Sequence, residues 1–244
     1  MNRLMNALAS SVGRKFVMGL TGLFLCLFLV IHLGGNLLLY VGPEAYDHYA
    51  HALHEQQAFL LVAQIGLYLA LVLHILLALK LTTSNVTARF VSYRKKASKR
   101  DDRMVASVVA PETWMLRSGF IVLIFLFVHL TDFKFEFGWG AVLDGQTPYD
   151  KAGVILRDFG RAAVYTLGSV VLGVHVSHGL ASAFQSLGLN HPRYNGCIRW
   201  SSVAFGWIVA AGFASFPVIW SLSGSTHAPS SPPAAPQHLE AQDQ

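Results

Sequence analysis

Apolar residues along this chain gather into five long runs, at 16–41, 58–81, 116–138, 162–187 and 201–222. A helix of about 20 apolar residues crosses the hydrocarbon core of a bilayer, so each run is long enough to span. Lipid offers the backbone no hydrogen-bond partner, and a helix satisfies its own N–H and C=O groups. The expected fold is therefore all-α, an integral membrane bundle of five transmembrane helices.

Between the runs the chain turns polar. Gly42-Pro43 opens a polar stretch to residue 57, and 82–111 carries YRKKASKRDDR, a solvated basic loop. The stretch 139–158 is rich in Gly, Asp and Pro and reads as a loop. Residues 1–222 form one expected membrane domain, and 223–244 a Pro/Ala/Ser-rich tail expected to be disordered. The N-terminal MNRLMNALASSVGRK resembles the start of a signal peptide, but the run behind it is long enough to span. No small-residue cleavage site follows, so the segment is expected to be retained.

Composition agrees with the pattern. The chain is 53% hydrophobic and 13% charged, with a mean hydropathy of +0.46, too apolar for a soluble domain of 244 residues. A pI near 9.3 invites a nucleic-acid reading, but no such motif and no internal repeat stands out. The basic residues are instead sorted by side. Fourteen of the 18 Lys and Arg fall in the N-terminus and the second and fourth linkers with their flanks; Lys134, Lys151, Arg157 and Arg161 fall on the other side. Positive charge is retained in the cytoplasm, which puts the N-terminus inside and the tail outside. The expected location is the bacterial inner membrane, multi-pass. Of the two cysteines, Cys26 lies in an apolar run and Cys197 in a loop. There is no C-x-x-C-H and no disulfide framework.

Against this apolar background the histidines stand out: His32, His74, His129, and the pair His175 and His178. Ionisable groups at membrane depth are costly and mark function by default. At 1.5 Å of rise per residue, His32 and His129 lie about 12–14 Å below the outer boundary. His74 and His175 or His178 lie nearer the inner side, so the residues form two layers. Two imidazoles on facing helices at one depth are what a bis-histidine haem b requires. Gly34, Gly35, Ala70, Ala78, Gly168 and Gly179 near the histidines are candidates for letting a flat ring approach the backbone. Small residues and polar glue between helices are the simpler explanation for any one histidine, but fit four helices at paired depth less well.

The first run, SSVGRKFVMGLTGLFLCLFLVIHLGGNLLLY, and the fourth, HVSHGLASAFQSLGLNHP, resemble the cytochrome b558 membrane-anchor subunit of succinate dehydrogenase and fumarate reductase. The resemblance covers about residues 11–220. It implies two haems b and a flavoprotein and an iron–sulfur subunit docked on the cytoplasmic face. It also implies electron transfer to or from a membrane quinone, typically menaquinone, with the succinate site on another chain. Carried over by position, His32 and His129 would ligate the distal haem, and His74 the proximal haem with a histidine of the fourth helix. The family's H-x-x-x-G pattern fits His175 with Gly179, whereas depth slightly favours His178; His175 is the choice.

Other residues divide between chemistry and plain structure. Some members of the family carry an acidic residue in the fourth helix for proton movement; here none lies between Arg161 and Gly188. Asp132, one turn beyond His129, is either a partner to a haem-side group or a helix-end charge facing water. Arg161 shares a face with His175 and is a candidate partner for distal haem propionates, with an interfacial anchor as the alternative. Arg14, Lys15 and Arg117 are explained by orientation. His48, His51 and His54 share a face if their segment is helical, and read first as a solvated face and second as a metal or quinone pocket. The alternatives to the anchor subunit are the haem b subunit of another respiratory oxidoreductase and a His-lined proton or metal transporter.

Overall fold

A computed structural model describes residue 6, residues 10–87 and residues 111–223, with the side chains of 85–87 and 111–113 excepted. The basic stretch YRKKASKRDDR and the tail beyond Ser223 lie outside the described residues. Among the described residues eight α-helices follow one another: α1 Ser11–Asn36, α2 Pro43–Glu55, α3 Gln57–Thr87, α4 Pro111–Phe133, α5 Gly140–Leu143, α6 Pro148–Arg157, α7 Phe159–Ser186 and α8 Asn195–Leu222. A 3₁₀ turn, Leu37–Tyr40, continues α1, and there is no strand among the described residues.

Five of the eight, α1, α3, α4, α7 and α8, are long and apolar enough to cross a membrane. Their surfaces are inverted relative to a soluble bundle: Phe59, Val62, Leu69, Phe127, Leu167 and Trp207 are all more than half exposed. None of the apolar window of α3 is buried against protein. Apolar surface left outside the protein core in this way is compatible with helices of a multi-pass membrane protein.

The buried apolar cluster sits instead at one end, here termed the cap. Leu39, Leu143, Ala152, Ile155, Leu156, Phe216 and Trp220 close around the short helices α5 and α6. Asp47 Oδ1 of α2 accepts a hydrogen bond from Tyr149 N of α6 at 2.8 Å, and Tyr46 packs on Tyr149. Burial pushes the Tyr46 phenol pKa up, and neighbouring Tyr49 and Asp47 add to it. The α1–α3 and α4–α7 connections thus share one end, as an up-and-down order of five spans requires.

Several expected boundaries move. The third run continues to residue 138 in hydropathy, but α4 stops at Phe133. Phe135 N and Phe137 N turn back to Leu130 O and Thr131 O, and Glu136 takes φ 51°, so the aromatic residues beyond Phe133 lie in a turn. The stretch 139–158 is not a plain loop: Thr147 Oγ1 caps α6 at Asp150 N (3.3 Å), and Pro148 pre-sets its first turn. Gly42 at φ 129° and Pro43 likewise start α2, which carries His48, His51 and His54 on an exposed face.

The tightest helix pair is α7 with α8. A Cβ added at Gly173 would lie 2.5 Å from Gly206 O and from Ala210 Cβ, and one at Gly206 2.5 Å from Gly173 O. Buried Ser169 and Ser202 bond Tyr165 O and Ile198 O of their own helices, both at 2.7 Å. By contrast α3 packs mainly on α1 and scarcely meets α4 or α7; α1 and α4 are equally separate. An apolar crevice of about 510 Å³ opens between α3 and α4, lined by Leu79, Leu116 and Phe120.

Because backbone blocks any Cβ at Gly173, Gly173→Ala is expected to destabilise the bundle by about 1–3 kcal/mol in detergent thermal unfolding. Gly66→Ala, with nothing within 4 Å, is expected to be neutral or stabilising by up to about 1 kcal/mol.

Candidate functional site

Four of the sequence-nominated histidines come together as two pairs. In the layer nearer the cap, His32 of α1 and His129 of α4 stand with ring centroids 5.8 Å apart and planes at 81°. In the layer nearer the far end, His74 of α3 lies against Thr21 and Gly22 of α1, and His175 of α7 against Ser118 and Gly119 of α4. The His32–His129 contact joins two helices that otherwise have little or no close backbone contact.

Each far-layer histidine is oriented by a hydroxyl on a neighbouring helix. Thr21 Oγ1 donates to Val17 O and Met18 O and lies 3.3 Å from His74 Nδ1. Ser118 Oγ donates to Met115 O and lies 3.0 Å from His175 Nδ1. In the tautomer that carries hydrogen on Nδ1, each ring donates to the hydroxyl and keeps its Nε2 lone pair. His178 differs: its Nδ1 lies 3.0 Å from Val174 O, one turn back on its own helix.

Thr21 and Ser118 were not singled out by sequence, nor were the glycines after them. A Cβ at Gly22 would lie 3.4 Å from His74 Cε1, and one at Gly119 3.3 Å from His175 Cε1. Thr21-Gly22 precedes His32, and Ser118-Gly119 precedes His129, with nine residues between glycine and histidine in both cases. This [Thr/Ser]-Gly-x9-His repeat was the available signal, hidden because it is short and lies in uniformly apolar runs. It also sets the layers about 16 Å apart along α1 and α4. The small residues nominated earlier turn elsewhere: Gly35 faces Tyr49, Gly168 faces Phe125, and Gly34 has nothing within 4 Å.

Aromatic rings line the cap layer. Phe28 stacks on His32 at 5.2 Å, Phe213 lies 5.5 Å from it, and Phe125, Phe133 and Tyr165 pack on His129. Asn36 Nδ2 bonds His32 O at 2.7 Å and lies 3.4 Å from its Nδ1.

Asp132 is not a helix-end charge in water; it is 0% exposed. Its Oδ1 accepts from Trp139 Nε1 (3.0 Å) and pairs with Arg161 (3.2 Å), and its Oδ2 accepts from Tyr165 Oη (3.1 Å). Arg161 therefore spends its charge on Asp132 while also lying over the Trp139 ring, at the edge of an open groove of about 490 Å³. His48, His51 and His54 are exposed, and no three His, Cys, Asp or Glu side chains converge as metal ligands among the described residues.

This donor set fits a haem better than a bare ion. Two imidazoles leave a bare metal ion short of a full shell, whereas a porphyrin brings four nitrogens of its own. Comparison with family models, with curated proteins and with solved structures returns no match for this chain.

If each layer holds a haem, His175→Ala removes one of the two and His178→Ala retains both, on a haem-to-protein ratio from the pyridine haemochrome; the opposite pattern reverses the assignment.

Proposed function

We propose that this chain is the membrane-anchor cytochrome b of a succinate:quinone oxidoreductase, a succinate dehydrogenase or fumarate reductase. The observation that carries the reading is the placement of four histidines of four helices in two layers, His32 beside His129 in one and His74 and His175, each held by a hydroxyl of a neighbouring helix, in the other. In this reading His32 and His129 hold one haem b near the outer side, and His74 and His175 hold a second near the cytoplasm. The haems supply reversible one-electron chemistry; the protein positions and insulates them. Thr21 and Ser118 accept from the tautomers that present Nε2, and Gly22 and Gly119 make room beside the rings.

The sorting of Lys and Arg puts the cap outside and the far end in the cytoplasm, within a bacterial inner membrane. A flavoprotein and an iron–sulfur subunit dock on that basic cytoplasmic face, and the redox partner within the membrane is a quinone, menaquinone by resemblance. The layers then form a path across the bilayer, because each lies within one half of the helices' length.

The test is a reduced-minus-oxidised spectrum of the purified chain with its co-purifying subunits. Two b-type haems per chain, one lost in His32→Ala, together with a flavin and iron–sulfur pair, support the reading. A molybdenum-containing partner points to another respiratory oxidoreductase, and a chain without haem to the transporter alternative.

A further inference from the structure

Within the five spans the sequence holds a single acidic residue, Asp132, and it is wholly buried. It lies one helical turn from His129, about 5 Å of rise toward the cap. Tyr165, which donates to it, has its ring 5.9 Å from the His129 ring. We propose that Asp132 is the charge-setting residue of the cap-side haem, holding the reduction potential of that haem down and leaving the far-side haem untouched. The inference rests on the di-haem reading above.

An anion near an iron centre favours the more positive, oxidised state, and low dielectric makes the effect reach further than in water. The counter-charge on Arg161 only partly cancels it. The Arg161 side chain is 34% exposed and lies at an open groove, so solvent screens it, whereas Asp132 is 0% exposed. The other two partners of Asp132, Trp139 and Tyr165, are neutral donors. Among the described residues the far layer has no acidic counterpart: the hydrogen-bond partners of His74 and His175 are the hydroxyls of Thr21 and Ser118. The asymmetry between the layers is therefore one of fixed charge, within an otherwise repeated pattern of histidine placement.

Asp132→Asn removes the charge but keeps an oxygen for Trp139 and a side chain of the same shape. The experiment is a potentiometric titration of both haems, followed optically, in the native complex and in the variant. Asp132→Asn is expected to raise the reduced-to-oxidised ratio of the cap-side haem at fixed ambient potential by roughly three- to tenfold, the upper value being 59 mV for a one-electron couple. The haem retained in His32→Ala identifies the far-side signal, which is expected not to move. Two haems with unshifted potentials, or an equal shift of both, overturn the proposal while leaving the di-haem reading standing. A native chain without haem overturns both. Should Asp132→Asn lose the cap-side haem, Arg161→Gln carries the test: unmasking the carboxylate lowers the same ratio, and an unchanged or raised ratio overturns the proposal.

Discussion

An imidazole inside a bilayer has no water to bond, so each must find its partner in protein, and the bundle is arranged around that need. Thr21 and Ser118 meet it for His74 and His175 across helix boundaries. These are contacts between spans, made by hydroxyls that are themselves buried. Each hydroxyl also reaches a carbonyl of its own helix, so one small side chain links the imidazole to the backbone of a neighbouring span. The positions of two imidazoles are thus tied to two small polar side chains in otherwise apolar helices.

Packing across the bundle is uneven. The α7–α8 pair closes on glycine and alanine until backbone meets side chain, and the cap seals one end with buried apolar residues. The α3 helix, by comparison, leans on α1 and leaves a crevice toward α4. The spacing of the two histidine layers is set along the helices by their rise, so it is independent of this lateral unevenness.

The five spans were legible in the sequence because lipid imposes long apolar runs, and the histidines because polar side chains are conspicuous there. The end of α4 was not: Phe135 and Phe137 keep the hydropathy high past a turn that is set by the backbone at Glu136. The burial of Asp132 was hidden as well, since hydropathy places a carboxylate at a helix end without saying that Trp139, Tyr165 and Arg161 will close over it. Arg161 could be placed on the face of His175, yet its charge is drawn toward α4. Which small residue faces which ring is a matter of neighbouring helices, so Gly22 and Gly119 escaped while Gly34 and Gly35 drew notice.

The [Thr/Ser]-Gly-x9-His repeat divides the first four spans into two hairpins of the same design, α1 with α3 and α4 with α7. Each hairpin donates one histidine to each layer, so neither can complete a site alone. Any ligand bridging the pairs is thereby a fastener between half-molecules, and its binding free energy adds to the stability of the whole through mass action. Such a ligand would add to a seam that α1 and α7 already form between the two hairpins.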